Sequence, residues 1–213
     1  MENASPLVIT ISRQLGSGGA YIGQQLAKRL DIFYADREII HQAAQRLSVL
    51  EKDLASRDEK KLSFWQSFIR THAAAPDAYV KPQILQPSDH ELFKTEGEII
   101  LRIARERSAV IIGRCGAYVL RSHPNCLSVF LHADRAFRRD RVMKLCNETE
   151  EAAGKIIARS DKERTLYHRA ATGQEWVDAR RYPLSVATDK IGVDRCVEFI
   201  LNYLTLRADR ATL

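Results

Sequence analysis

The stretch ITISRQLGSGGAYIGQQLAKRL, Ile9 to Leu30, passes from an apolar run through a glycine cluster into a helical repeat. The run from Pro6 to Ile11 is β-branched and unbroken by charge, the pattern of a strand buried on both faces in a parallel sheet. Beyond the glycines, Ile22, Leu26 and Leu30 recur every four residues with Ala27 beside them, so one helical stripe faces that sheet. A strand turning into a helix through Gly16, Ser17, Gly18 and Gly19 gathers backbone N–H groups in one concavity at the positive end of a helix, an arrangement that holds phosphate. Glycine suits such a loop because a Cβ blocks close approach of an anion and because some positions need positive φ. The strict pattern GxxxxGK followed by Ser or Thr is absent, and the plain alternative is a turn that merely joins strand to helix.

Outward from this unit the chain alternates. Ile32 to Ala35 is a second apolar step, running into Asp36, Arg37 and Glu38. Residues 45–94 lose periodicity, mixing charges, a Trp65, Phe68 and Ile69 cluster, and Pro76, Pro82 and Pro87, as an inserted lobe does. Thr95 and Glu98 have capping-box spacing ahead of Ile99, Ile100, Ile103 and Ala104, which predicts a helix start there. Strands are expected at Ala109 to Ile112, Leu127 to Leu131 and Leu184 to Ala187. An arginine-rich helix follows the fourth strand, a helix spans about Glu148 to Arg159, and a polar, basic segment runs from Ser160 to Arg181. Val193, Val197, Ile200, Leu201 and Leu204 mark an amphipathic last helix. Strands alternating with helices predict an α/β domain, a five-stranded parallel sheet with helices on both faces.

At 213 residues the chain fits one such domain, 1–213, with an insertion. Lysine and arginine outnumber aspartate and glutamate, 33 to 27, which suits an anionic partner. Cys115, Cys126, Cys146 and Cys196 are scattered without metal-ligand spacing, as reduced thiols of a cytoplasmic protein are. No apolar segment reaches the roughly 18 residues of a membrane span, so no membrane partner is expected. Nucleic-acid binding is disfavoured, since aromatics are not interleaved with the basic residues. Nothing in the pattern specifies an oligomeric state.

Several ordered motifs together resemble the cytidylate kinase-like family of P-loop proteins. They are ITISRQLGSGG with IGQQLAKRL, FYADREII, VIIGRCGAYVL at 110–120, VFLHADRAFRRDR at 129–141, DKERTLYH at 161–168 and YPLSVATDKIG at 182–192. The resemblance implies a three-layer P-loop kinase-type fold, an acceptor-binding lobe at 45–94 and a lid at 159–181. It implies an ATP-dependent phosphotransferase acting on a nucleoside monophosphate or other small phosphorylated acceptor, with ATP and Mg²⁺. ATP phosphates then lie on Gly16, Ser17, Gly18, Gly19, Ala20 and Tyr21, with Ile22 continuing the helix, and adenine lies against Thr188, Asp189 and Lys190. The acceptor falls to Asp36, Arg37, Asp161 and Tyr167, and the metal to Ser17 and Asp36.

The chain departs from ordinary cytidylate kinases at four places. Their catalytic lysine falls on Gly19, their first loop glycine on Arg13, their metal-organising acid on Ile112, and an acceptor-binding arginine on Gln42. The GSGG loop with Arg13 resembles what the cytidylate kinase-like branch itself shows. Phosphoryl transfer needs mainly positioning and charge neutralisation, so a relocated arginine can serve. Arg13, Arg114, Arg159 and Arg164 are the candidates, and a non-catalytic nucleotide-binding regulator is the competing reading. Arg138 and Arg141 share a helix face that either touches phosphate or is solvated. His168 is expected at the surface, and Trp176 and Tyr182 in packing.

Overall fold

A computed structural model describes residues 5–52, 63–68, 70 and 90–211. Its strands are β1 (Val8–Arg13), β2 (Phe33–Ala35), β3 (Ala109–Ile112), β4 (Cys126–His132) and β5 (Leu184–Ala187). They form one parallel sheet in the order β2-β3-β1-β4-β5. β1 is central, with Ile11 opposite Ile112 of β3 and Val129 of β4. The chain leaves β1 toward one edge through β2 and β3, then crosses to the other side at β4. The carboxyl ends of β1, β3 and β4 therefore flank the crevice where an open α/β sheet takes ligands.

The helices are α1 (Gly19–Leu30), α2 (Arg37–Lys52), α3 (His90–Glu106), α4 (Gly116–Val119), α5 (Arg135–Cys146), α6 (Glu150–Thr172), α7 (Thr188–Ile191) and α8 (Val193–Ala211). β1 shows why both faces are covered. Ile9 and Ile11 pack with Ile22 and Leu26 of α1 and Val197 and Ile200 of α8, whereas Val8 turns to Ile40, Ile99 and Ile103 on the opposite face. Burying both faces requires an unbroken apolar strand, and Thr10, the polar exception, donates its hydroxyl to Ser128 Oγ at 2.9 Å.

Two expectations need correction. Helix α3 begins at His90, so Thr95 lies inside it and is buried, and no helix starts at the capping-box pattern. The helix expected to stop near Arg159 runs unbroken to Thr172, where Gly173 in the left-handed region ends it. The proposed lid segment at 159–181 is thus mostly the second half of α6.

Much of the 45–94 lobe lies outside the described residues, Ile69 and the three prolines at 76, 82 and 87 included. Within it, α2 extends to Lys52, and helical residues 63–68 put Trp65 and Phe68 into the core with Phe33. Trp65 Nε1 donates to Glu106 Oε2 at 2.8 Å, and the Arg102 guanidinium lies 4.1 Å from its ring centroid. Trp65→Ala is expected to destabilise the protein by about 3–5 kcal/mol, from the cavity and the widowed carboxylate. Urea denaturation measures it, and a loss under about 1 kcal/mol would detach residues 63–68 from the core.

Candidate functional site

The loop between β1 and α1 is held from three sides. Gln14 N–H donates to Leu131 O at 3.0 Å, while Gln14 O accepts from Ser17 Oγ at 2.9 Å. Gly16 and Gly18 have φ of 85° and 86°. A Cβ on Gly16 would stand 2.6 Å from Arg138 O and 2.9 Å from Arg138 Cα, so the loop rests on the backbone of α5. Glycine is thus required at 16 by helix packing, not by room for an anion. Arg138, buried, donates to Leu15 O at 3.4 Å and to Asp161 Oδ2 at 2.6 Å, and Asp161 Oδ1 accepts from Leu15 N–H at 3.3 Å. Helix α6 thereby reaches the loop through one carboxylate.

Helix α1 opens without a side-chain cap and without an acid in its first turn. The N–H groups of Gly19, Ala20 and Tyr21 have no intrahelical partner, and the helix dipole adds to their positive potential. Arg141 Nη2 lies 3.6 Å from where a Cβ on Gly18 would be. Tyr21 contributes its backbone only, since its hydroxyl donates to Asp194 Oδ1 at 2.8 Å, which with burial pushes the phenol up.

Across the crevice, Gly113, Arg114 and Cys115 have φ of 76°, 49° and 53° in succession. Two non-glycine residues in the left-handed region cost free energy that the surroundings must offset, and such strain gathers at functional sites. Here it directs Arg114 into the protein interior. Arg114 Nη1 pairs with the fully buried Glu96 at 3.3 Å, its Nη2 lies 3.3 Å from His41 Nδ1, and its guanidinium carbon is 5.2 Å from the Tyr167 ring centroid. Glu96 also accepts from the Tyr167 hydroxyl at 3.0 Å and lies 3.0 Å from His41 Nδ1. Burial, and next the Glu96 charge, push the Tyr167 phenol well above its usual range. Burial likewise pushes the Cys115 thiol up to about 12, which makes it inert.

Beside the carboxyl ends of β1 and β3 is a cavity of about 60 Å³, lined by Arg13, Arg114, Arg164, Glu163, Tyr167 and His168. It holds a few waters or one compact anionic group, not a whole nucleotide. The structure brings Arg13, Arg114 and Arg164 to this one space. Arg159 stands apart, its side chain 68% exposed and paired with Glu163 at 2.8 Å. Asp161 is already bound to the loop, to Arg138 and, at 3.4 Å, to Arg164.

The remaining candidates are placed as follows. Asp36 Oδ1 accepts from Ile39 N–H at 2.9 Å, capping α2. Arg37 opens α2, and its side chain lies outside the described residues. Thr188, buried, donates to His132 O at 3.2 Å, and Lys190 bridges Asp134 and Asp189 at 2.8 Å each, so these three tie β5 to the end of β4. Trp176 and Tyr182 pack on Phe130 as expected. His168, expected at the surface, is buried instead, with Nδ1 2.9 Å from Gln174 O.

For Mg²⁺ the residues do not assemble a protein-built site. Ser17 is fully buried with its hydroxyl turned to Gln14 O, and Asp36 caps a helix. Among the described residues no three His, Cys, Asp or Glu side chains gather as metal ligands.

The model of the cytidylate kinase-like family matches residues 8–190, which takes in the loop, both cavity walls and all five strands. The chain belongs to the cytidylate kinase-like family. Membership supports phosphotransferase chemistry in general and leaves the acceptor open. An uncharacterized protein from Eubacterium ventriosum ATCC 27560 is similar in structure, with a TM-score of 0.70 at 23% identity over 93% of this chain and 98% of that one. Shikimate kinase from Bacteroides thetaiotaomicron has a TM-score of 0.50 at 11% identity over 93% and 98%, a likeness of fold alone. No match was found among curated proteins. Among the described residues no helix of this family member is long and apolar enough to cross a membrane.

Sequence reasoning passed over Glu96, and it found the face of Arg138 and Arg141 without its neighbour. Three-residue spacing shows that two arginines share a face, but only the fold shows that this face meets the loop.

Burial lowers the pKa of His168. The unfolded chain therefore binds a proton near pH 6.5 that the folded protein resists. This part of the stability is complete above about pH 6.5 and is lost as pH falls through the lower folded value. His168→Gln is expected to flatten the decline of the urea midpoint below pH 6.5, and an unchanged slope would remove His168 from the acid response.

Proposed function

We propose that this chain is an ATP-dependent phosphotransferase, moving the γ-phosphoryl group to a nucleoside monophosphate or another small phosphorylated acceptor. One observation carries the reading: β1, the strand that leads into the uncapped first turn of α1, contributes Arg13 to a cavity that Arg114 and Arg164 also line. Backbone N–H groups from Gly16 to Tyr21 hold the phosphates, and Thr188 to Lys190 border the adenine. An acceptor oxygen bonds to the γ-phosphorus as the bond to the β–γ bridging oxygen breaks, leaving ADP and a phosphorylated acceptor. Arginines neutralise the charge on the transferring oxygens, with two parallel N–H donors each.

Asp36 and Arg37 approach the acceptor from the start of α2, and Asp161 and Tyr167 approach it from α6. Both α6 residues are engaged within the protein, Asp161 with the loop and Tyr167 with Glu96. Movement of α6 away from the loop releases them and widens the cavity. Mg²⁺ in this reading travels on the nucleotide phosphates, with water completing its shell.

A second reading, nucleotide binding without transfer, is favoured by Gly19 and Ala20 where P-loop enzymes carry lysine and a metal-binding hydroxyl. ADP formation from ATP and Mg²⁺, assayed against a panel of nucleoside monophosphates and small phosphorylated metabolites, separates the two. Turnover with one acceptor is expected, and Arg164→Ala should lower it roughly a hundredfold or more. ATP binding with no transfer to any acceptor favours the regulator, and a fully active Arg164→Ala removes that residue from the chemistry.

A further inference from the structure

The spacing GxxxxGK followed by Ser or Thr, set on Arg13 to Ala20, puts Arg13 at the first glycine, Gly19 at the lysine and Ala20 at the hydroxyl that elsewhere holds Mg²⁺. The structure shows that the first two changes are one. A Cβ on Gly19 would lie 2.7 Å from both Cβ and Cγ of Arg13. Those atoms belong to the stem of the arginine and cannot swing aside as a side-chain tip does. Position 19 therefore stays bare while position 13 carries a long side chain, and a lysine at 19 needs a bare position 13.

The Arg13 stem crosses Gly19 and carries the guanidinium to the end of β3, where Nη1 lies against Gly113 so closely that a Cβ there would collide with it. This is the gap between phosphate loop and β3 in which P-loop proteins place their metal ion, held by the loop hydroxyl and a strand-end aspartate. Here the strand ends in Ile112, fully buried opposite Ile11, with Cδ1 where a Cβ on Gly23 of α1 would go. A carboxylate in that place is an unpaired charge in the core. Both protein anchors for the metal are replaced by apolar groups, and a fixed cation stands in the gap.

We propose that the Arg13 guanidinium takes over the charge neutralisation divided elsewhere between the loop lysine and a protein-held divalent cation, so that this chain needs no metal to bind a triphosphate, whether or not Mg²⁺ travels on the phosphates. The inference rests on the loop being the phosphate site. It does not require that transfer follow, and it applies equally to a regulator.

Two measurements test it. In the first, thermal melting follows a cycle of Gly19→Ala and Arg13→Gly, neither of which needs a ligand. Gly19→Ala lowers Tm when Arg13 is present and raises or preserves it in the Arg13→Gly background, because α1 prefers alanine once the stem is gone. Additive effects overturn the exclusion between the two positions.

In the second, calorimetry measures binding of inorganic tripolyphosphate and of ATP, with Mg²⁺ and in excess EDTA. Wild type is expected to bind tripolyphosphate in EDTA within about threefold of its affinity with Mg²⁺, and Arg13→Ala to lose about tenfold or more in EDTA. The Arg13→Gly, Gly19→Lys double variant regains most of that loss. Wild-type binding abolished by EDTA, or an Arg13→Ala variant that binds as well as wild type, overturns the proposal while the loop remains a phosphate site. No binding by wild type under either condition overturns the loop itself and this proposal with it.

Discussion

Helix α5 meets the loop between β1 and α1 backbone to backbone at Gly16, with Arg138 O and Cα where a Cβ would be. The rest of the site depends on this contact. It sets the depth at which the loop sits beneath the start of α1, and it brings the Arg138 guanidinium to Leu15 O and Asp161. From there α6 is fixed over the crevice, and from α6 the cavity takes Glu163, Arg164, Tyr167 and His168. One missing methyl group in the loop after β1 thus organises residues some 150 positions further along the chain.

The opposite wall is built at a cost. Arg114 and Cys115 are both in the left-handed region, and Arg114 would be a buried charge without Glu96. Removing one partner of such a pair leaves the other uncompensated, so the group is coherent only as a whole. Tyr167 joins it through its hydroxyl and its ring, so α6 is tied to both walls. The strain, the buried ion pair and the aromatic contact all converge on the orientation of one guanidinium.

The strands were legible because a parallel strand covered on both faces must be continuously apolar, and Ala109 to Ile112 or Leu127 to Leu131 allow little else. The length of α6 was not. Its buried side includes Ser160 and His168 beside Ala153 and Ile157, so no apolar stripe marks where the helix continues. The capping-box pattern at Thr95 and Glu98 misled because a threonine and a glutamate three residues apart also occur inside a helix, where Thr95 is buried. Arg13 was legible as a position out of keeping with a glycine loop, whereas its crossing over Gly19 is a fact of three dimensions. Arg141 was legible as sharing a face with Arg138, whereas its proximity to Gly18 depends on where α5 docks.

Asp161 lends the site a further property. Its carboxylate accepts from Leu15 N–H, at the edge of the loop proposed to hold phosphate, and it is carried by the helix that lines the cavity. On that proposal a phosphate arriving beside it brings like charge, so occupancy of the loop and the docked position of α6 oppose one another. Such opposition is reciprocal by linkage. Whatever holds α6 down weakens the hold on phosphate, and phosphate in turn loosens α6. A side chain that ties the loop to α6 is, on the same proposal, also the one through which the far half of a 23-residue helix responds to phosphate on that loop.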